Sequence, residues 1–498
     1  MVQMMPHWLS QRAFLTPKRV AIETETEKLT FFDLHERALA LAGYLQQAFG
    51  INKGMKVAFL QENTVEMVLS YHALSYLGAI AVPLNIRLST NELYWQIEDS
   101  EARLLLYDDS QARKLINGET THPIQLCNIN KIPLDKREIN DGDIREINLE
   151  DSHTIIYTSG TTGKPKGVIL SYRNHWGSAI GSVLNLGLTT EDKWLACVPL
   201  FHVSGLSILM RSVIYGMTVR LHRRFDPEEI NHAIIHHNVT TISVVSAMLT
   251  KMLDALGDQT YPDHFRCMLL GGGPVPTPLL NTCLEKNIPV YQTYGLSETA
   301  SQIVTLSPEY MISKAGSAGK PLFPSQIKIV DEQGHVLNNG LEGEIIVKGP
   351  NVTSGYYKRP EANQKALKDG WLYTGDVGYL DDEGFLYVLD RRKDLFVSGG
   401  ENIYPAEIES VLLTHPDIEE AGVVGMKDEK WGRVPCAFIK LKSNANVTDS
   451  DVQMFCRDYL ANYKVPQKIY VVDDELPRNA SKKLLRRKLV ERLPKEKQ

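Results

Sequence analysis

Short apolar runs alternate with segments of helical periodicity along the larger, N-terminal part of the chain. These runs are KVAFL, AIAVPL, ARLLLYD, TTISVVS and FRCMLLGGG. Each is too short for a typical helix and is bounded by polar or turn-forming residues, so each predicts a buried strand. Strands that alternate with helices typically form a parallel sheet covered on both faces. The pattern therefore predicts an α/β fold with doubly wound sheets.

The segment 30–47 is the clearest predicted helix. Thr30 stands in the N-cap position, and Asp33 follows three residues later, as a capping box requires. The residues expected on the buried face are Leu34, Ala38, Leu41 and Leu45.

The pattern changes after about residue 315. The stretches QIKIVDEQGHVLNNGLEGEIIVKG and GYLDDEGFLYVLD read as strands joined by Gly- and Asp-rich turns, which predicts a small β-rich subdomain over roughly 315–390. Beyond DRRKDL, helical and extended patterns mix again. We therefore predict a large N-terminal domain over 1–390, a junction at 391–394 and a smaller α+β domain over 395–498.

Composition agrees with a multidomain globular protein. The chain has 498 residues, of which 43% are hydrophobic and 23% charged, which is ordinary globular usage. The net charge of −6 argues against a nucleic-acid partner, because a surface that binds phosphate backbones is usually basic.

The cysteines and the N-terminus bear on the cellular compartment. The six cysteines are far apart and form no Cys-x-x-Cys pair, so we expect reduced, buried thiols rather than a zinc or redox site. The start, MVQMMPHWLSQRAF, lacks the features of a signal peptide. The expectation is a cytoplasmic protein without a membrane span. Nothing in the sequence indicates an oligomeric state.

The stretch YTSGTTGKPKGV (157–168) directly follows an apolar run. A strand that ends in a glycine- and hydroxyl-rich turn exposes backbone N–H groups, which together with lysines form a cradle for polyphosphate. It does not fit the Walker A spacing, which would need a glycine at Thr158 and a hydroxyl at Pro165. The alternative is a mobile surface loop.

Six further motifs follow in order: PLFHVSGL, LLGGGPVP, YQTYGLSET, YTGDVG, DRRKDLFVSGGENIYPAEIE and LPRNASKKLLRR. The set resembles the adenylate-forming superfamily of acyl-CoA ligases, luciferases and peptide-synthetase adenylation domains, over nearly the whole chain. The resemblance implies an enzyme that activates a small carboxylic acid with ATP and Mg²⁺ as an acyl-adenylate, and then transfers the acyl group to CoA.

The resemblance also assigns the nucleotide site. Glu298 would be the Mg²⁺ ligand and Ser297 a hydroxyl at the α-phosphate, where many relatives have threonine. The phosphate loop would comprise Thr158, Ser159, Gly160, Thr161, Thr162, Gly163 and Lys166. Adenine and ribose would contact Gly271, Gly272, Gly273, Gln292, Tyr294, Asp376 and Arg391. Taken alone, the glycines and Asp376 would be turn residues.

Lys483 would be the catalytic lysine between the carboxylate and the α-phosphate. Lys482 stands where relatives have glycine, so the register is uncertain by one residue. The resemblance makes Lys393 a hinge about which the C-terminal domain rotates, bringing Gly399 and Gly400 to the site for CoA. The alternative for the C-terminal residues 482–498 is a solvated basic helix.

The acid is less constrained by the motifs. The sequence in the stretches SETASQIVTLSPE, SAGKPLF and LPRNAS resembles the branch of the family that activates 2-succinylbenzoate in menaquinone biosynthesis. This acid has a second carboxylate, which needs polar or cationic partners. The predicted pocket residues are His202, Ser204, Arg211, Ser301 and Gln302. His202 would also have a catalytic role. The alternative is that His202 is only a buried side chain of the core.

Two alternatives stay open. A medium-chain or aryl acid CoA ligase would share the ATP motifs and differ only in its pocket. A non-catalytic acyl or nucleotide sensor on the same fold would be expected to lack catalytic positions, yet Glu298, Asp376, Arg391 and Lys483 are all present.

Overall fold

The computed structural model describes most of the chain. The described ranges are 3–88, 90–115, 122–134, 146–158, 165–272, 275–391, 396–398, 401–403, 405–428, 431–443, 445–460, 462–479 and 483–494. The α-helices in these ranges are α1 (Trp8–Leu15), α2 (Phe31–Phe49), α3 (Val65–Leu77), α4 (Thr90–Ser100), α5 (Tyr172–Leu186), α6 (Val203–Tyr215), α7 (Pro227–His236), α8 (Ser246–Leu256), α9 (Thr277–Glu285), α10 (Pro360–Ala366), α11 (Pro405–Leu412), α12 (Asp449–Arg457) and α13 (Arg486–Val490).

The strands fall into two groups along the chain. The first group is β1 (Met4–Met5), β2 (Val20–Glu23), β3 (Lys28–Thr30), β4 (Lys56–Leu60), β5 (Ile80–Pro83), β6 (Leu104–Tyr107), β7 (Gln125–Asn128), β8 (Ile147–Asn148), β9 (Ser152–Thr158), β10 (Lys166–Ser171), β11 (Lys193–Ala196), β12 (Thr218–Leu221), β13 (Thr241–Val245), β14 (Cys267–Gly271), β15 (Val290–Leu296), β16 (Ser301–Leu306) and β17 (Lys320–Pro321). The second group is β18 (Gln326–Val330), β19 (Gly343–Lys348), β20 (Gly355–Tyr356), β21 (Leu367–Lys368), β22 (Trp371–Leu380), β23 (Leu386–Arg391), β24 (Phe396–Ser398), β25 (Glu401–Ile403), β26 (Ile418–Asp428), β27 (Gly432–Leu441) and β28 (Lys468–Val471).

Two large sheets dominate the N-terminal part. One has seven strands in the order β20-β10-β9-β5-β4-β6-β7, and the other has nine in the order β17-β16-β15-β14-β13-β11-β12-β2-β3. The central strands are parallel, whereas β10, β16 and β3 run antiparallel to their neighbours. The predicted α/β class is confirmed. The order of strands, which crosses back along the chain, could not be derived from periodicity.

Helix α2 forms as its sequence predicts. Thr30 Oγ1 accepts from the Asp33 backbone N–H at 3.1 Å, and the Asp33 carboxylate accepts from the Thr30 N–H at 2.9 Å. The four residues expected on its apolar face are all buried. They pack with α1 and α3 in one core, so local capping and burial agree.

A five-stranded antiparallel sheet follows, built from β18, β19, β22, β21 and β23. It covers most of the predicted β-rich subdomain. The C-terminal region has its own core, in which α11 and α12 pack on the sheet β26-β27-β28. Of the predicted junction 391–394, only Arg391 lies within the described residues.

Two further expectations concern the cysteines and membrane-spanning helices. All six cysteines are unbonded and buried, as predicted. Each helix in the described ranges is too short or too polar to cross a bilayer.

Candidate active site

A cavity of about 3780 Å³ is bordered by both large sheets, the five-stranded sheet and the C-terminal region. The carboxyl ends of several parallel strands open into it, where ligands of doubly wound sheets usually bind. Of the predicted site residues within the described ranges, the following line it: Thr158, Lys166, His202, Ser204, Gly271, Gly272, Gln292, Tyr294, Ser297, Glu298, Ser301, Gln302, Asp376 and Lys483.

The predicted phosphate loop joins two antiparallel strands. Thr158 ends β9 and is paired with Lys166, which begins β10. The connecting residues Ser159, Gly160, Thr161, Thr162 and Gly163 lie outside the described ranges. The Lys166 ammonium is 5.1 Å from the centre of the Tyr356 ring, a cation–π distance. A cation therefore stands at the open end of this hairpin.

Glu298 lies in a short 3-10 turn, Ser297–Thr299, between β15 and β16. Tyr356 donates its hydroxyl to Glu298 Oε1 at 2.9 Å. The Glu298 carbonyl accepts from the Thr353 N–H at 2.7 Å. Both bonds fix the carboxylate at the cavity wall. Such a carboxylate fits Mg²⁺, which is usually held by one or two carboxylates plus phosphates and water.

The chain around this turn is strained. Ser301 has φ +104° and Ala300 φ +50°, although neither is glycine. The turn is closed by Thr299 Oγ1, which donates to the Ser301 carbonyl at 2.7 Å. A Cβ on Gly295 would lie 2.0 Å from that carbonyl oxygen, so glycine is required there. Strain of this kind clusters at functional sites, where the surrounding packing holds it.

The adenine and ribose side is formed by β14, β15 and β22. Gly272, at φ +92°, follows β14. Tyr294 donates its hydroxyl to Asp376 Oδ2 at 2.8 Å, and Asp376 is only 3% exposed. Arg391 pairs with Asp376 in the β22–β23 ladder, although its side chain is not described. Gly273 lies outside the described residues.

The buried amide of Gln292 tests whether this wall fits a nucleotide base. The side chain is 5% exposed, and its Nε2 has no hydrogen-bond acceptor among the described residues. A buried N–H without a partner costs free energy that a ligand acceptor would recover. The wall therefore fits a base that presents acceptor nitrogens.

The predicted acid pocket is formed mainly at the start of α6. His202 is the N-cap residue of α6, and its ring lies 4.7 Å from that of Phe201. Burial, with the nearby Arg87 charge, lowers the pKa of His202 to about 4, so the imidazole is neutral at pH 7. Gln302 is 3% exposed, and neither polar atom of its amide has a partner among the described residues.

Arg211 lies deeper than the other predicted pocket residues, and its contact with the acid stays a prediction. It is 1% exposed and is not among the cavity-lining residues. Its guanidinium instead lies 5.0 Å from the ring centre of Trp194, inside the core between α6 and β11. Arg211 lies about two helical turns beyond Ser204 on the same face of α6, deeper in the protein. Its three guanidinium nitrogens have no hydrogen-bond partner among the described residues.

Two residues of the site were missed by sequence reasoning. Tyr356 holds Glu298 across 58 positions of sequence, and the only available signal was its place after Gly355 in SGYYKRP. Arg87 lines the cavity, and its charge contributes to the lowered pKa of His202. No motif pointed to Arg87.

Lys483 reaches the cavity from the C-terminal region. Its backbone N–H donates to Asn479 Oδ1 at 2.9 Å, and its carbonyl accepts from the Asn479 N–H at 2.8 Å. These bonds join Asn479 to Lys483, whose side chain is exposed. The predicted Lys393, Gly399 and Gly400, and the neighbouring Lys482, lie outside the described ranges.

Comparison with known proteins identifies the family of the chain. The sequence profile of AMP-binding enzymes matches residues 9–357, and that of the AMP-binding enzyme C-terminal domain matches residues 407–483. The chain belongs to the AMP-binding enzyme family. A curated member from Bacillus cytotoxicus, a 2-succinylbenzoate--CoA ligase, is 57% identical over 98% of both chains.

Solved structures of a second family member are also similar. The Bacillus subtilis o-succinylbenzoate CoA synthetase with its acyl-adenylate intermediate is 48% identical, with a TM-score of 0.91 over 98% of both chains. The same enzyme with ATP and magnesium ion gives 49% and 0.91, over 98% of this chain and 100% of that one.

A third structure of that enzyme superposes less well on the present chain. It is a double mutant bound to the product analogue OSB-NCoA, 49% identical, with a TM-score of 0.76 over 98% of this chain and 99% of that one. The present structure is therefore more similar to the ATP and acyl-adenylate complexes than to this one.

Proposed function

We propose that this protein activates 2-succinylbenzoate with ATP and transfers the acyl group to CoA. In the first step, a carboxylate oxygen bonds to the α-phosphorus and pyrophosphate leaves. In the second, the CoA sulfur attacks the acyl carbon and AMP leaves. The observation that carries the proposal is the meeting of Glu298, Asp376 and Lys483 at one cavity, in a chain 57% identical to a ligase of this acid.

The nucleotide is bound by groups of known position. Asp376 accepts from the ribose hydroxyls, with Tyr294 holding its carboxylate, and Gln292 donates its free N–H to the adenine ring. Glu298 would hold Mg²⁺, and a bound Mg²⁺ would supply positive charge at the phosphates. Thr158, Lys166 and the loop between them hold the β- and γ-phosphates, with Ser297 at the α-phosphate.

Lys483 has the central catalytic role in the first step. Two anions, the carboxylate and the α-phosphate, must approach each other, and an ammonium group between them stabilises the transition state. The first step therefore needs the C-terminal domain in the present arrangement. Rotation about Lys393 would then withdraw Lys483 and bring Gly399 and Gly400 to the site for CoA.

The acid is held largely by neutral donors. His202, neutral at pH 7, Ser204, Ser301 and the buried Gln302 amide face the space beside the nucleotide wall. Arg87, which lines the cavity, and the buried Arg211 are the cationic groups that we propose for the ring carboxylate. We place the reaction in the cytoplasm, where ATP and CoA are available.

The test is a full reaction with purified protein. The protein with 2-succinylbenzoate, ATP, Mg²⁺ and CoA should yield the CoA thioester, AMP and pyrophosphate, measured by mass spectrometry and a pyrophosphate assay. Absence of any thioester with every acid tested would favour the non-catalytic sensor.

Substrate choice separates the proposed acid from other acids. Benzoylpropionate lacks the ring carboxylate and would leave buried donors unpaired, so its kcat/KM should be lower by up to about 10⁴-fold. Comparable kcat/KM for the two acids, or a preference for hexanoate or coumarate, would instead support a medium-chain or aryl acid ligase.

A further inference from the structure

Three potential metal ligands, Glu25, His222 and Glu229, meet at the wall of the large cavity. Glu25 lies in the turn between β2 and β3, His222 directly follows β12, and Glu229 lies in the first turn of α7. Strands β2 and β12 are parallel neighbours, so their carboxyl ends are side by side. The start of α7 closes the third side of the group.

The three side chains face one another. One ligand atom from each, an imidazole nitrogen or a carboxylate oxygen, lies within 4.8 Å of the other two. Two ligands of one zinc ion, at about 2.0–2.2 Å each, lie about 3.3 Å apart in a tetrahedron. The two glutamates are exposed, so their side chains are able to close this difference by rotation.

His222 gives the group its chemical character. It is 5% exposed, and its Nε2 has no hydrogen-bond partner among the described residues. Its backbone N–H donates to the Ala196 carbonyl at 3.0 Å, which fixes its position. An imidazole nitrogen without another partner is a common ligand of transition-metal ions.

The surrounding charges leave the two carboxylates available. Arg220 is paired with Glu23 at 2.8 Å, and Lys193 binds the same carboxylate at 2.9 Å. Within the described part of the chain, neither Glu25 nor Glu229 forms an ion pair. The group thus combines two anionic oxygens with one imidazole nitrogen.

We propose that Glu25, His222 and Glu229 bind a divalent transition-metal ion, with water completing its coordination. An imidazole nitrogen favours Zn²⁺, Co²⁺ or Ni²⁺ over Mg²⁺, which prefers oxygen ligands. Its three ligands line the same cavity as Glu298, the proposed Mg²⁺ ligand, but do not include it. Because its ligands come from distant parts of the sequence, the ion would link the β2–β3 turn, β12 and α7.

The test uses the full chain without a polyhistidine tag, freed of metal by chelation. Titration with Zn²⁺ in a calorimeter should give one ion per chain, and Co²⁺ should give a visible absorption band. His222→Ala and Glu25→Gln should each weaken Zn²⁺ binding at least tenfold. His335→Ala, which removes an exposed histidine beside Asp331, should leave binding unchanged.

Thermal unfolding supplies a second readout. Excess Zn²⁺ should raise the Tm of the unmodified protein, because a ligand that binds only the folded state stabilises it. At the same Zn²⁺ concentration the rise should be smaller in Glu25→Gln and Glu229→Gln, whose side chains are exposed and whose folds should be intact. The proposal would be overturned if the unmodified protein did not bind Zn²⁺. It would also be overturned if His222→Ala and Glu25→Gln bound Zn²⁺ as tightly as the unmodified protein.

Discussion

At the residue scale, Lys483 carries the most specific chemical role. Lys483→Ala should lower the rate of adenylate formation by about 10²-fold or more, because the cation between two approaching anions is lost. Thioester formation from synthetic acyl-adenylate should be nearly unchanged. The two half-reactions can be measured by pyrophosphate release and by thioester appearance.

Lys482→Ala is the matched control for this assignment. Its neighbour in sequence should retain most of the activity in both half-reactions. A larger loss at Lys482 would move the catalytic role by one position, and equal losses in both half-reactions for Lys483→Ala would contradict the two-orientation mechanism.

Tyr356 offers a second test at the residue scale. Its hydroxyl is 2.9 Å from Glu298 Oε1, and a hydrogen bond to a charged group contributes about 1.5–3 kcal/mol. Tyr356→Phe should lower kcat/KM for MgATP about tenfold and raise the Mg²⁺ concentration needed for half-maximal rate. The adjacent Tyr357, whose hydroxyl donates to Glu101 at 2.7 Å, is the control. Tyr357→Phe should not change the Mg²⁺ requirement.

At the element scale, helix α4 positions the phosphate loop. Asp99 on α4 accepts from the Tyr157 hydroxyl at 2.8 Å and from Arg359 at 2.5 Å. Tyr157 lies on β9 immediately before the loop, and Arg359 follows β20. One carboxylate therefore ties the two segments that border the phosphate site to the same helix.

Asp99→Asn should weaken this positioning without removing a group that touches substrate. We expect KM for ATP to rise about fivefold, equivalent to about 1 kcal/mol, with little change in KM for the acid. Glu101→Gln, at the residue that directly follows α4, serves as the control. A parallel rise in both KM values would indicate a general loss of structure instead.

At the scale of the whole molecule, buried histidines should make stability depend on pH. Burial lowers the pKa of His72 to about 4 and that of His175 to about 3, and it lowers the pKa of His153 well below its ordinary value. The folded-state pKa values lie below the unfolded value of about 6.5, so the unfolded chain binds more protons in acid. This contribution to stability is complete above pH 6.5 and is lost as the pH falls towards 4.

Each such histidine should lower the free energy of unfolding by up to about 1.4 kcal/mol per pH unit between about 6.5 and its folded pKa. Urea unfolding at pH 7.5, 5.5 and 4.5 measures this slope. His72→Leu should reduce the slope by about 1.4 kcal/mol per pH unit, which corresponds to one proton. A stability that stays constant over this range would show that these imidazoles are accessible to protons in the folded protein.

The sequence by itself determined the features that depend on neighbours along the chain. The capping box at Thr30 and the strands at KVAFL and FRCMLLGGG follow from local periodicity and side-chain chemistry, and the structure confirms them. The ordered motifs likewise indicated the family, because each motif is a short stretch whose residues act together.

Only the tertiary structure decided which distant side chains meet. Tyr356 reaches Glu298, and Glu25 reaches His222, because strand order and helix rotation bring their elements together. Arg211 is a further case, since its contact with Trp194 joins α6 to β11 and no local pattern indicated it. Periodicity along a helix separates a buried face from an open one, but the cavity and the sheet that border α6 are both built by remote segments.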